Sequence, residues 1–137
     1  MDLLPRLEVS ADGATISQQR YPQAGRRNAV VQIYVQHMGS SPATAPIKVD
    51  LGTGSDIYIA RVAWSADGRT LYVQRESRDQ QTLDLLRVDP ATGASRVIVS
   101  EHQKTWINLN DNFYALKTGD FVWGLSLIHI SEPTRPY

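Results

Sequence analysis

The sequence contains no cysteine. Neither a disulfide framework nor a thiolate metal site can form, and cysteine usage says nothing about redox compartment. Net charge is missing too, because 14 Lys and Arg balance 14 Asp and Glu. That balance removes the basic footprint of a nucleic-acid or anionic-membrane binder, and the pair Arg26-Arg27 is too short to restore it. No run of eighteen apolar residues occurs, and residues 1–6 lack the basic start and apolar stretch of a signal peptide. No Gly-x-Ser-x-Gly string is present, so the nucleophile elbow of an α/β-hydrolase is absent from this sequence. The three histidines, His37, His102 and His129, have no neighbour at metal-ligand spacing. From the residues alone, no catalytic residue, no metal site and no cofactor is expected.

What is there is the material of one β domain. A chain of 137 residues with 42% hydrophobic content can bury a core, so disorder throughout is disfavoured. Short stretches rich in Val, Ile, Tyr and Thr recur between clusters of Gly, Asp, Pro and Ser. They predict strands at 7–10, 15–19, 30–37, 47–51, 58–64, 70–75, 83–89, 95–100, 113–116 and 121–123, and no stretch combines helical period with caps. Ala11-Asp12-Gly13, Ala66-Asp67-Gly68, Asp89-Pro90-Ala91-Thr92-Gly93 and Lys117-Thr118-Gly119-Asp120 each read as a hairpin turn with Gly at a positive φ. Residues 76–82 read as a longer polar loop, which makes 70–99 part of an antiparallel meander.

Repetition is visible as well. Ser10-Ala11-Asp12-Gly13-Ala14-Thr15-Ile16 is echoed by Ser65-Ala66-Asp67-Gly68-Arg69-Thr70-Leu71, an offset slightly longer than one propeller blade of roughly 40–50 residues. In the second copy Trp64 completes Trp-Ser-x-Asp-Gly, a motif shared by many β-propellers. Asp67 is expected to accept from backbone amides of its own turn, Gly68 to be left-handed, and Trp64 to fill space between blades. A metal-binding role for Asp67 lacks the further oxygen ligands a calcium loop needs.

Other strings read as structure. Gly52-Thr53-Gly54-Ser55 lacks the Gly-Lys-Ser/Thr of a phosphate loop and reads as a turn. The mixed charges of Arg75-Glu76-Ser77-Arg78-Asp79 read as a solvated, self-paired surface. Asn108, Asn110, Asp111 and Asn112, just after Trp106, can hold an irregular backbone or meet a ligand, and the turn is the commoner use.

Arg20-Tyr21-Pro22-Gln23-Ala24-Gly25 followed by Asn28 resembles the Tyr-Pro-x-Ala-Gly-x-x-Asn signature of the propeller domain in dipeptidyl-peptidase IV type serine peptidases. The resemblance continues in order through residues 56–64, through 74–80 with Leu83-Asp84-Leu85, and through Thr105-Trp106-Ile107-Asn108-Leu109, and is strongest to bacterial members. It implies an all-β partial β-propeller, about two to three blades of antiparallel meander at the usual repeat length. It implies a parent that releases N-terminal Xaa-Pro or Xaa-Ala dipeptides, with peptides as substrate, a periplasmic or secreted location in bacteria and possible homodimers. The family's amino-terminus clamp and its Ser, Asp and His have no counterpart here, so this chain is expected to be inactive alone. Trp106, Asn108, Asn110 and Asp111 match a region that in relatives can approach the substrate cavity. Domain boundaries are expected at 1–124 for the partial propeller and 125–137 for a tail. Residues 125–135 resemble the in-frame translation of a sequencing adapter, and Met1 falls in what is mid-propeller sequence in the family, so both ends read as artificial. A stand-alone propeller-like binding module is the alternative reading.

Overall fold

The computed structural model describes residues 2–22, 24–39 and 44–125; the tail reading therefore lies, from residue 126 on, outside the described residues. The described chain is all strand and turn, with no helix. It divides into two compact units, residues 1–30 and 31–137.

The first unit is a single hairpin. Strand β1 (Leu3–Ser10) pairs antiparallel with β2 (Gly13–Arg20) in unbroken register from Leu3↔Arg20 to Ser10↔Gly13. Both strands run longer than the apolar stretches that announced them. Paired backbone extends the ladder through polar positions such as Arg6, where the guanidinium donates to Gln19 Oε1 at 3.0 Å. Leu7, Val9 and Ile16 are exposed within this unit.

The second unit is built around a four-stranded antiparallel meander of β5 (Ile57–Trp64), β6 (Leu71–Ser77), β7 (Thr82–Val88) and β8 (Ser95–His102), in the order β5-β6-β7-β8. Partners that face each other in register share a face of the sheet. On one face Leu71, Val73, Leu86 and Val88 pack with Val49 and Leu51, and Ile33, Val35, Ile57 and Ile59 seal the margin. Val49 and Leu51 follow the short pair β3 (Tyr34–Val35) and β4 (Ile47–Lys48). The long strands expected over 30–37 and 47–51 reduce to these two-residue pieces. Elsewhere in those segments the backbone is tied by single bonds, Val49 N to Ile33 O at 2.9 Å and Asp50 N to Gly93 O at 2.8 Å, instead of a continuous ladder.

The opposite face is covered by β9 (Phe113–Ala115) and β10 (Phe121–Trp123) through an aromatic cluster. The Tyr72 ring lies 5.2 Å from Phe113 and 5.7 Å from Phe121, and Phe113 and Phe121 stack at 5.6 Å. The central strand β6 is thus buried on both faces, which explains why Leu71, Tyr72 and Val73 occur as a run without alternation. Trp64, at the end of β5, is half exposed within this sheet.

Candidate functional site

The turns that frame the sheet set the geometry. At the β5–β6 turn Ser65 Oγ donates to Asp67 Oδ1 at 2.6 Å, Arg69 N donates to the same oxygen at 3.1 Å, and Thr70 N donates back to Ser65 Oγ at 2.9 Å. The β6–β7 turn repeats this in different letters. Ser77 Oγ donates to Asp79 Oδ1 at 2.5 Å, Gln81 N donates there at 3.2 Å, and Thr82 N reaches Ser77 Oγ at 3.0 Å. Gly68 has φ 70° and Gln80, its counterpart, φ 59°. Side-chain donation from Ser65 and from Ser77 holds Asp67 and Asp79 below the usual carboxylate range. Asp67 is thus a turn residue, as its spacing indicates. The expected loop over 76–82 is tighter than that, since Glu76 pairs with Leu83 inside the ladder and Ser77 and Thr82 belong to strands. The Ser10 echo has another geometry, a two-residue turn closed by Ser10↔Gly13, so similar letters there do not make a similar loop.

Of the four residues singled out by sequence, two meet each other and two line a cavity. Trp106 is 63% exposed, and its Nε1 donates to Asn108 Oδ1 at 3.2 Å. Between them Ile107 is buried at 4% and its amide donates to Gln80 O at 2.8 Å, which fixes this stretch against the β6–β7 turn. Asn110 is a structural clasp: its Oδ1 accepts from Asn112 N at 3.1 Å and its Nδ2 donates to Gly124 O at 2.5 Å. Asp111 Oδ1 accepts from Arg61 Nε and lies 2.6 Å from Arg61 Nη2.

Asn110 and Asp111, together with Arg61, Tyr72, Gln74 and Phe113, line a cavity of about 160 Å³. Gln74 is 3% exposed, and its Oε1 has no hydrogen-bond partner among the described residues. An orphaned buried acceptor at a cavity of mixed polar and apolar lining, large enough for several waters, is a site for a donor from solvent or ligand. Arg61 and Gln74 were not singled out by sequence. The usable signal was Arg61 itself, a cation inside the apolar string Ile57-Tyr58-Ile59-Ala60-Arg61-Val62-Ala63-Trp64, brought into register with Gln74 by a bulge at Ala60. A buried carboxyl lies on the same face: Glu76, at 3% exposure, is pushed above the usual carboxylate range by desolvation. Among the described residues no group of three or more His, Asp or Glu side chains could hold a metal. Nor, among the described residues, is any helix long and apolar enough to cross a membrane.

Comparison with known proteins gives this architecture a lineage. The chain superposes with a TM-score of 0.70 on the dipeptidyl peptidase 4 of Porphyromonas gingivalis, at 20% identity, over 88% of this chain and 17% of that one. It superposes at 0.64 on a dipeptidyl aminopeptidase IV of Bacteroides ovatus, at 22% identity, over 77% of this chain and 15% of that one. The chain therefore spans about a sixth of the length of these solved relatives, and its meander is a partial β-propeller. Residues 4–131 match the description of the dipeptidyl peptidase IV (DPP IV) N-terminal region, and the chain belongs to that family.

Proposed function

We propose that this chain is propeller material of a serine dipeptidyl peptidase, contributing scaffold and substrate access to an active site housed elsewhere. The family match over 4–131 carries the reading. It is supported by the sequence, which offers no Gly-x-Ser-x-Gly elbow, and by Asp67, Asp79 and Asp84, whose carboxylates are tied into turns and an ion pair. In this reading the propeller admits peptides and helps to place them, so that orientation and selectivity arise outside the reacting centre. The parent releases Xaa-Pro or Xaa-Ala dipeptides, works in the periplasm or outside the cell, and pairs with a second copy. Asn110 and Asp111 stand at the substrate side, with Trp106 and Asn108 beside them.

Two assays test this. The isolated chain leaves a Gly-Pro chromogenic amide intact, and hydrolysis that survives a mock-purification control sinks the scaffold reading. In the protein encoded by the uninterrupted locus, Asp111→Ala raises KM for dipeptidyl substrates several-fold with little change in kcat. An unchanged KM removes Asp111 from the substrate side, and a locus that encodes no hydrolase domain replaces this reading with a stand-alone binding module.

A further inference from the structure

Arginines of the four-stranded sheet and its β6–β7 turn fall into two groups. Arg61, Arg75 and Arg78 each lie within 4 Å of an acid: Asp111 at 2.6 Å, Asp84 at 2.6 Å and Asp56 at 3.6 Å. Arg87 and Arg96 do not. They are register partners on β7 and β8, so two guanidinium side chains stand opposite each other on one face. Among the described residues neither guanidinium has a hydrogen-bond or ion-pair partner. Like charges directly across a ladder destabilise it.

A third cation joins them. Arg69, from the β5–β6 turn, lines the same pocket as Arg87 and Arg96, a space of about 380 Å³ that also includes Thr70, Asp89 and Ser95. It shares no lining residue with the cavity around Gln74. The acids nearby are committed to their turns. Asp89 Oδ1 accepts from Ala91 N at 2.9 Å and its Oδ2 from Thr92 Oγ1 at 3.0 Å. Asp67, which attracts Arg69, already accepts from Ser65 Oγ and Arg69 N. Three exposed arginines thus line an open depression beside one carboxylate, and both oxygens of that carboxylate accept from its own loop.

We propose that this pocket is a binding site for a small oxyanion of the phosphate or sulfate class. The planar forks of Arg87 and Arg96 suit bidentate bonding to two edges of a tetrahedral oxyanion, and a bound dianion turns their mutual repulsion into shared attraction. The pocket has room for the anion and part of its hydration shell. The site is separate from the Gln74 cavity, so its test does not depend on a substrate role for that cavity.

The test is a titration of the full 137-residue chain with sodium phosphate at constant ionic strength, followed by ¹H–¹⁵N spectra that include the arginine Nε–H signals. Saturating shifts at Arg87 and Arg96 with a millimolar or lower dissociation constant are expected. The double variant Arg87→Gln/Arg96→Gln should weaken binding at least tenfold, and acetate should not saturate the site. A linear response to phosphate, or equal affinity in the double variant, overturns the proposal; saturation by acetate and not by phosphate reassigns the pocket to carboxylates and overturns it as stated. Hydrogen exchange of the β7 and β8 amides reads the same question in a partly folded chain. Phosphate slows exchange in the parent chain and not in the double variant, and equal slowing in both is the contrary result.

Discussion

Arg75 and Asp84 are register partners on β6 and β7 whose side chains meet at 2.6 Å, and each holds a further segment of the chain. The second oxygen of Asp84 accepts from Ser100 Oγ on β8 at 2.6 Å, while Arg75 also donates to Leu51 O in the layer below. Both side chains are largely buried, at 20% and 14% exposure. Removing one partner strands the other in a poorly solvated place. Asp84→Ala is expected to cost about 2–3 kcal/mol. The double replacement Arg75→Met/Asp84→Leu should recover much of that. Urea midpoints of the single and double variants check it, and additive losses would show that the pair is not coupled.

Gly93 marks where the β7–β8 turn meets the chain after β4. Its φ is +76°, and a Cβ there would sit 2.1 Å from Lys48 O. Gly93→Ala therefore combines backbone strain with a collision against backbone. A loss of about 3 kcal/mol or more is expected, well above a surface substitution. A thermal melt within a degree of the parent would contradict this.

The matched turns give a paired prediction. Gln80 occupies a left-handed conformation at φ 59° that Gly68 occupies at 70° in the neighbouring turn. Gln80→Gly should stabilise by about 0.5–1 kcal/mol and Gly68→Gln should cost a similar amount. Opposite signs in the two urea midpoints are the required result.

Glu76 supplies the pH dependence. Burial raises its folded carboxyl above the unfolded value, so its contribution is fully present below the unfolded range and is lost as pH rises through the folded one. Asp67 and Asp79 act the other way. Their folded values are lowered, and their contribution, present above the unfolded range, disappears as pH falls through the folded one. Glu76→Gln should therefore be more stable than the parent at neutral pH and nearly equal to it in acid. Denaturation at two pH values measures this, and a constant difference would rule out the carboxyl as the cause.

How much of this was legible in the letters follows from where the causes lie. The four β-hairpin turns were readable because Gly and Asp act within a few residues of themselves, as Asp67 does through Ser65 and Arg69. The β6–β7 connection read as a longer loop because Gln80 stands where glycine is the usual signal of a tight turn. Strand limits around β3 and β4 depend on partners distant in sequence, such as Gly93 for Asp50, and local pattern cannot report them. For the cavity, Asn110 and Asp111 were visible as an Asn/Asp cluster. Gln74 looked like any strand residue, and its unsatisfied oxygen shows only once Asn110, Asp111 and Phe113 line the cavity beside it.

The Ser-x-Asp turn carries a wider consequence. Serine, aspartate and two amides complete their bonding inside six residues, at 65–70 and again at 77–82. The strands on either side supply only extended backbone. Such a corner can drift at its intervening positions, or exchange glycine for glutamine at moderate cost, without changing which residues face which across the sheet. Sequence variation can collect at the rim of the blade while the register inside stays fixed, and the rim is where a propeller meets whatever lies beyond it.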